Sequence, residues 1–323
     1  MNIKYGIGLW LFGELRDRFT TYHPPKDLKG KFEEASKVKG ADGIEVIYPA
    51  EFGDEQLEEF IHLLKKYNLK VAGLIVDLFA QPKWVNGSLT SRDEKLRKEA
   101  IDISCKAMDI AKRIECNTVS LWLGQDGYDY PFQADYIQSW DLLVKSIREI
   151  AEYRSDIKIA LEYKLKEPRT HIFIGTVGKA IMLAEEVGLK NVGVTLDVGH
   201  AIYGYENPSE SLIHLNRHGK LFHVHFNDNY RFWDDDMIVG SVNFWETLEL
   251  FYWLRKIDYN GWISLDIYPY REDVVKACEM SIKNLQLMDK LIDIIGMDNI
   301  ENCIKKGNII ETFTTLKRIF KES

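Results

Sequence analysis

The sequence predicts an α/β fold, a (β/α)8 TIM barrel with a C-terminal helical extension. Three observations carry this. Eight short apolar or β-branched runs recur along the 323 residues. Amphipathic stretches separate them, and strands that alternate with helices form a parallel sheet. No Pro- or Ser-rich linker or low-complexity tract divides the chain, and its length suits one barrel. The rival, a doubly wound open sheet, carries a glycine-rich loop after its first strand. GIGLWLFGEL (6–15) matches that spacing poorly.

The expected strands, in order, are 3–10 (IKYGIGLW), 42–48 (DGIEVIY), 70–76 (KVAGLIV), 117–123 (NTVSLWL), 157–163 (IKIALEY), 192–197 (VGVTLD), 221–226 (LFHVHF) and 261–267 (GWISLDI). Helical patterns fall between them at 54–67, 92–114, 136–153, 174–188 and 242–257. In the first, Leu57, Phe60, Ile61, Leu63 and Leu64 make one apolar stripe of period 3.6. The barrel is expected over 1–293. The extension, 294–323, is expected to cover it or to meet a second subunit in a homo-oligomer.

The chain is 46% hydrophobic and 28% charged, an ordinary globular profile. Its net charge of -8 and its lack of a sustained Lys/Arg cluster argue against a nucleic-acid partner. Cys105, Cys116, Cys278 and Cys303 share no CxxC spacing, so reduced thiols are expected. The N-terminal MNIKYGIGLWLFGELRDRF lacks the apolar core and cleavage site of a signal peptide. No apolar run reaches about 18 residues, so no membrane partner and a cytoplasmic location are expected.

Barrel enzymes carry their chemistry at the C-terminal ends of strands. Here the fifth strand ends on Glu162 and Lys164, and the sixth on Asp197 and His200. The seventh ends on His223, His225 and Asp228, and the eighth on Asp266. Like charges converging on one axis call for a cation. Oxygen ligands with one imidazole suit Mn²⁺, Mg²⁺ or Co²⁺. Plainer roles compete: Asp197 as a helix cap, His200 as a hydrogen-bonded loop residue, and His223 as a core residue one layer deeper. Lys164 would meet a developing negative charge or pair with a nearby carboxylate. Arg231 would bind a substrate hydroxyl or neutralise the acidic run Asp234, Asp235 and Asp236. Trp10, Phe12, Trp122, Phe226 and Trp233 stand near the mouth, to pack on a ligand or on the barrel.

These residues together resemble the xylose isomerase-like sugar isomerase/epimerase superfamily over roughly residues 1–290. The pattern is most like that of bacterial L-rhamnose isomerases. The resemblance rests on LEYK (161–164), LDVGH (196–200), HFND (225–228) with DDD (234–236), and LD (265–266). NGSLTSRDEKLRKEAID (86–102) and WLGQDGYDY (122–130) add to it. It implies a first metal on Glu162, Asp197, His225 and Asp266, and a second, catalytic metal on His200, Asp234 and Asp236. Two divalent ions per subunit follow, Mn²⁺ before Co²⁺ or Mg²⁺. It also implies that Lys164 stands beside the substrate C1 oxygen, and that Asp234 holds a water that takes the O2 proton. The implied activity is interconversion of an aldose and a ketose.

The related ketose 3-epimerases of the tagatose/psicose type use two glutamates as acid and base. Here the second of those positions is Asp266, whereas Arg231 has the epimerase spacing from His225. A ketose 3-epimerase is therefore the alternative. A metal-dependent endonuclease would need more His ligands and a basic face. Classical xylose isomerases also carry a ring-opening His on an early strand, and neither His23 nor His62 matches it.

Overall fold

The structure, a computed structural model, describes residues 1–320. The last three residues of the expected extension lie outside them. The eight expected strands are present: β1 Lys4–Gly8, β2 Gly43–Tyr48, β3 Lys70–Val76, β4 Thr118–Trp122, β5 Lys158–Glu162, β6 Val192–Asp197, β7 Leu221–Phe226 and β8 Trp262–Leu265. All eight pair in parallel in chain order, and β8 pairs with β1 to close the barrel.

Among the described residues, eleven α-helices accompany the strands: α1 Leu28–Ala35, α2 Leu57–Tyr67, α3 Glu94–Arg113, α4 Tyr136–Tyr153, α5 Val177–Val187, α6 Val198–Tyr203, α7 Pro208–Arg217, α8 Phe244–Lys256, α9 Val274–Ile295, α10 Met297–Lys306 and α11 Ile309–Leu316. The α2 stripe buries Leu57, Phe60, Leu63 and Leu64. Glu58 and Glu59 sit at its N-terminus and Lys65 and Lys66 at its end, which suits the helix dipole. Side-chain caps set other starts: Asp93 accepts from the Lys95 amide, and Asp135 from those of Ile137 and Gln138.

Period-2 alternation divides each strand between two environments. Ile44, Val46, Leu74, Val119, Leu121, Ile159, Leu161, Val194, Leu196, Val224, Phe226 and Ile263 are fully buried in the apolar core. The buried polar residues of the strands are different ones: Glu45, Thr118, Ser120, Glu162, Thr195, Asp197, His223, His225 and Ser264. Barrel interiors are more often filled by bulky branched side chains. Here the centre is polar, and the C-terminal ends of the strands open above it.

After α9, which runs past residue 293 to Ile295, the chain turns at Gly296 (φ 86°) into α10 and α11. Trp245 on α8 packs edge-on against Phe313 and Phe320, and Ile319 is buried. The four cysteines are unpaired. Among the described residues, no helix is long and apolar enough to cross a membrane.

Candidate functional site

Glu162 ends β5, Asp197 ends β6, His225 lies one residue from the end of β7, and Asp266 follows β8. One ligand atom from each lies within 4.8 Å of all the others. His225 Nδ1 faces this group, 3.4 Å from Glu162 Oε1 and 3.9 Å from Asp197 Oδ2. That nitrogen is buried and makes no hydrogen bond. Burial, with the Asp197 and Glu162 carboxylates nearby, pushes the Asp266 carboxyl up to about 7. Burial opposes the charged His225 imidazole, but the carboxylates of Glu45 and Glu162 hold it well above its ordinary range. Three carboxylates facing one imidazole leave an excess of negative charge. That excess and the unused nitrogen fit a divalent cation.

Asp197 also fills the capping role. Its Oδ1 accepts from the His200 amide at 2.8 Å and starts α6. The cap turns the His200 ring back over the cluster. His200 Nδ1 lies 3.0 Å from the Tyr163 carbonyl, and its Nε2 lies 3.2 Å from Asp234 Oδ2. Burial opposes its charge, but Asp197 and Asp234 bring the imidazole up to about 9. Lys164 Nζ reaches Asp234 at 2.9 Å and Glu167 at 2.6 Å. Against its own burial, Asp234 is held low by His200 and Lys164. Burial and the carboxylates of Asp234 and Asp266 push Asp236 up. Its backbone lies in the left-handed region, φ 48°. Asp235 is turned elsewhere and accepts from the Tyr230 amide at 3.0 Å.

His200, Asp234 and Asp236 are not drawn together as tightly as the first four. Among the described residues, the two groups with ligand atoms within 4.8 Å of one another are that set and Glu45 with His223 and His225. Asp234 is instead spanned by His200 and Lys164.

Above these groups lies a cavity of ≈ 300 Å³, at the lower end of the range for small-molecule sites. Its walls include Trp10, Phe79, Trp122, Trp233, Tyr268 and Tyr270, and its floor includes Glu162, His200, Asp234 and Asp266. Lys164 Nζ sits 5.4 Å from the Trp122 ring centre and 5.8 Å from that of Trp233. The aromatic wall and charged floor suit a polyhydroxylated ligand with one C–H face.

Three expectations are corrected. Phe226 is fully buried and packs on Phe251 of α8 at 6.1 Å, because it follows an inward-facing His225 and so turns outward. Phe12 likewise lies in the apolar core. Arg231 does not line the cavity; its guanidinium bonds Glu246 at 2.6 Å and Asn243 at 3.3 Å. Asp228 accepts from the amides of Val242 and Asn243 and so shapes the loop after β7. His23 contacts the Pro269 carbonyl at 3.1 Å, and His62 lies on α2.

Two acids, the half-buried Glu167 and the buried Glu45, escaped sequence reasoning. Glu167 lines the cavity beside Lys164. Glu45 lies against His223 and His225. Its signal was present: a single acid within GIEVIY (43–48), two residues before the cavity-lining Ile47.

Residues 32–288 match the model of a family described as xylose isomerase-like TIM barrel. A xylose isomerase of Thermus thermophilus is 26% identical over 286 residues, covering 84% of this chain and 74% of its own. Among solved structures, a D-tagatose 3-epimerase-like protein superposes with TM-score 0.70 at 22% identity, over 90% of this chain and 100% of its own. An L-ribulose 3-epimerase superposes with TM-score 0.70 at 15% identity, over 91% and 98% of the two chains.

Proposed function

From a chain that belongs to the xylose isomerase-like TIM barrel family, we propose a divalent-metal-dependent sugar isomerase that interconverts an aldose and a ketose, resembling L-rhamnose isomerase in its site residues. The protein is an isomerase in the broad sense, as are the sugar isomerases and epimerases it is similar to. Glu162, Asp197, His225 and Asp266 would hold the first ion. His200, Asp234 and Asp236 would hold a second. Mn²⁺ is the first choice for this oxygen-rich set, with Co²⁺ and Mg²⁺ next. When bound, the metal supplies Lewis-acid polarisation of the sugar oxygens. The unpaired cysteines suit a cytoplasmic enzyme.

The observation that carries this reading is the line His200–Asp234–Lys164 beside the four-residue cluster. Isomerisation moves the C2 hydrogen to C1 and the O2 proton to O1, and consumes nothing else. The Lys164 ammonium would meet the negative charge that develops on the C1 oxygen. Asp234, held ionised between two cationic groups, would orient the water that takes the O2 proton. Trp122 and Trp233 would cover the sugar's C–H face and exclude bulk water.

A second reading, a ketose 3-epimerase, is favoured by one observation. Glu162 and Asp266 both line the cavity floor, with Asp266 shifted to about 7 and Glu162 held low, mainly by His225 against its burial. Such a pair suits one proton donor and one acceptor. A panel of aldoses and ketoses incubated with Mn²⁺ in D₂O separates the two. C1–C2 interconversion supports the isomerase, and inversion at C3 with deuterium incorporated there supports the epimerase. The double substitution Asp234→Asn with Asp236→Asn is expected to abolish isomerisation. Unchanged turnover would rule out the two-metal route.

A further inference from the structure

We infer that Glu45 is a positioning residue: it holds His225 in the orientation and tautomer that present a free Nδ1 to the ligand cluster. The inference rests on the metal-dependent reading above and concerns a residue outside the first set of ligands.

Glu45 projects from β2, across the barrel from β7, and is 1% exposed. Its Oε2 lies 2.9 Å from His225 Nε2. Its Oε1 lies against His223 Nε2, which also contacts Ser264 Oγ at 3.1 Å. Among the described residues, no Lys or Arg pairs with it. A fully buried carboxylate without a cationic side chain is costly unless N–H donors satisfy it. The Nε2–H of His225 is that donor for Oε2, and Oε1, which makes no hydrogen bond, lies in ion-pair contact with His223.

The ring's other nitrogen completes the argument. A ligating imidazole must give up its second proton, and the neutral ring carries one N–H and one lone pair. If Nε2–H is committed to Glu45, the lone pair is on Nδ1. That is the buried nitrogen with no hydrogen bond, facing Glu162 and Asp197. A carboxylate behind a ligating histidine fixes its tautomer and ring orientation and raises its basicity.

The barrel is shaped around this acid. A Cβ built on Gly73 of β3 would stand 3.1 Å from Glu45 Oε1 and 3.3 Å from its Cδ. Gly73 is paired with Glu45 in the sheet register, so the absent side chain leaves the carboxylate its space. The Glu45–His223–Ser264 contacts therefore form a polar support below the cluster, on strands β2, β7 and β8.

Mn²⁺ affinity, read by EPR titration of the whole chain, tests this in wild type, Glu45→Met, Glu45→Gln and Asp197→Asn. Glu45→Met keeps the length of the side chain and removes the acceptor. It is expected to weaken Mn²⁺ binding by about 10–100-fold, while circular dichroism reports a folded chain. Glu45→Gln retains a carbonyl that accepts the Nε2 proton, and is expected to recover part of the loss. In Mg²⁺-loaded wild type, ¹⁵N NMR is expected to find His225 protonated on Nε2 and not on Nδ1. Wild-type affinity in Glu45→Met, or a proton on Nδ1, overturns the inference. If Glu45→Met does not fold, the NMR result on the wild type decides alone. Asp197→Asn separates the two levels. If it weakens Mn²⁺ while Glu45→Met does not, only the role of Glu45 fails. If Mn²⁺ binding ignores Asp197, the metal-dependent reading fails and this inference falls with it.

Discussion

Lys164 is a cation held within 3 Å of two carboxylates and roofed by two indoles. Its charge is therefore available at one place, the cavity floor. Lys164→Met is expected to lower kcat by about 10²–10³, the usual loss for one oxyanion-stabilising donor, with a smaller change in KM. Steady-state kinetics on the converted sugar check it. Asp266 and His200 make a second prediction, for protein stripped with chelator. Both hold a proton more tightly when folded, Asp266 near about 7 and His200 near about 9. Each stabilises the fold below its ordinary pKa, 3.8 and 6.5, and that contribution is lost as pH rises through the folded value. Glu162 and Asp234 are held low, so their contribution is lost on acidification instead. Metal-free protein should thus melt at a lower temperature at about pH 9 than at about pH 6. Mn²⁺ must displace the protons of both Asp266 and His225, so its affinity should rise with pH through about 7 and continue to rise beyond it. Thermal melts and EPR titrations across that range measure both. At this scale, sequence reasoning singled out Glu162, Asp197, His225 and Asp266 because each lies at a strand end, and the structure brings the four together. It missed Glu45, because one acid in a buried strand differs from a surface acid only by its parity.

Between residue and fold, the joint of β6 and α6 sets the site's precision. Gly199, in the first turn of α6, faces the Asn227 side chain, and a Cβ there would overlap the Asn227 amide. That amide donates to both oxygens of Asp197 at 3.2 Å. Gly199→Ala should therefore cost about 1–3 kcal/mol as an overpacked contact and weaken Mn²⁺ binding by releasing Asp197. A matched urea unfolding curve and EPR titration would check this; an unchanged affinity would mean that Asn227 does not orient Asp197. The strands were legible as elements because alternation and length distinguish them from helices. The short helix α6, VGHAIY (198–203), was not, since six largely apolar residues after a strand carry no helical period. Phe226 was misplaced for a related reason. Its strand was found, but parity counted from His225 turns it to the helices, as its contact with Phe251 makes plain.

On the scale of the whole molecule, the four-residue carboxylate/His cluster and the C-terminal extension occupy different surfaces. The cluster lies inside the barrel, whereas α11 and residues 317–320 pack on α8 and α9 outside it. Removing residues 297–320 uncovers Trp245 and deletes the buried Ile319. The truncated chain should lose several degrees of melting temperature and keep its Mn²⁺ affinity. Calorimetry with and without Mn²⁺ distinguishes this from a role for the extension in the site. The closed barrel was readable from the count of strands and the lack of a linker. The packing of the tail was not, because Phe313 and Phe320 meet Trp245 across more than 65 residues of chain and no local pattern records that contact.

The order of the four cluster residues along the chain has a consequence for biosynthesis. Glu162, Asp197, His225 and Asp266 come from the last four strands, and β8 must pair with β1 before the ring closes. A ribosome delivers Glu45 more than 200 residues before Asp266. The nascent chain therefore cannot assemble the four-residue cluster before β8 has emerged. If the cluster takes a metal, the choice of ion would fall to a barrel with all eight strands in place rather than to first encounter.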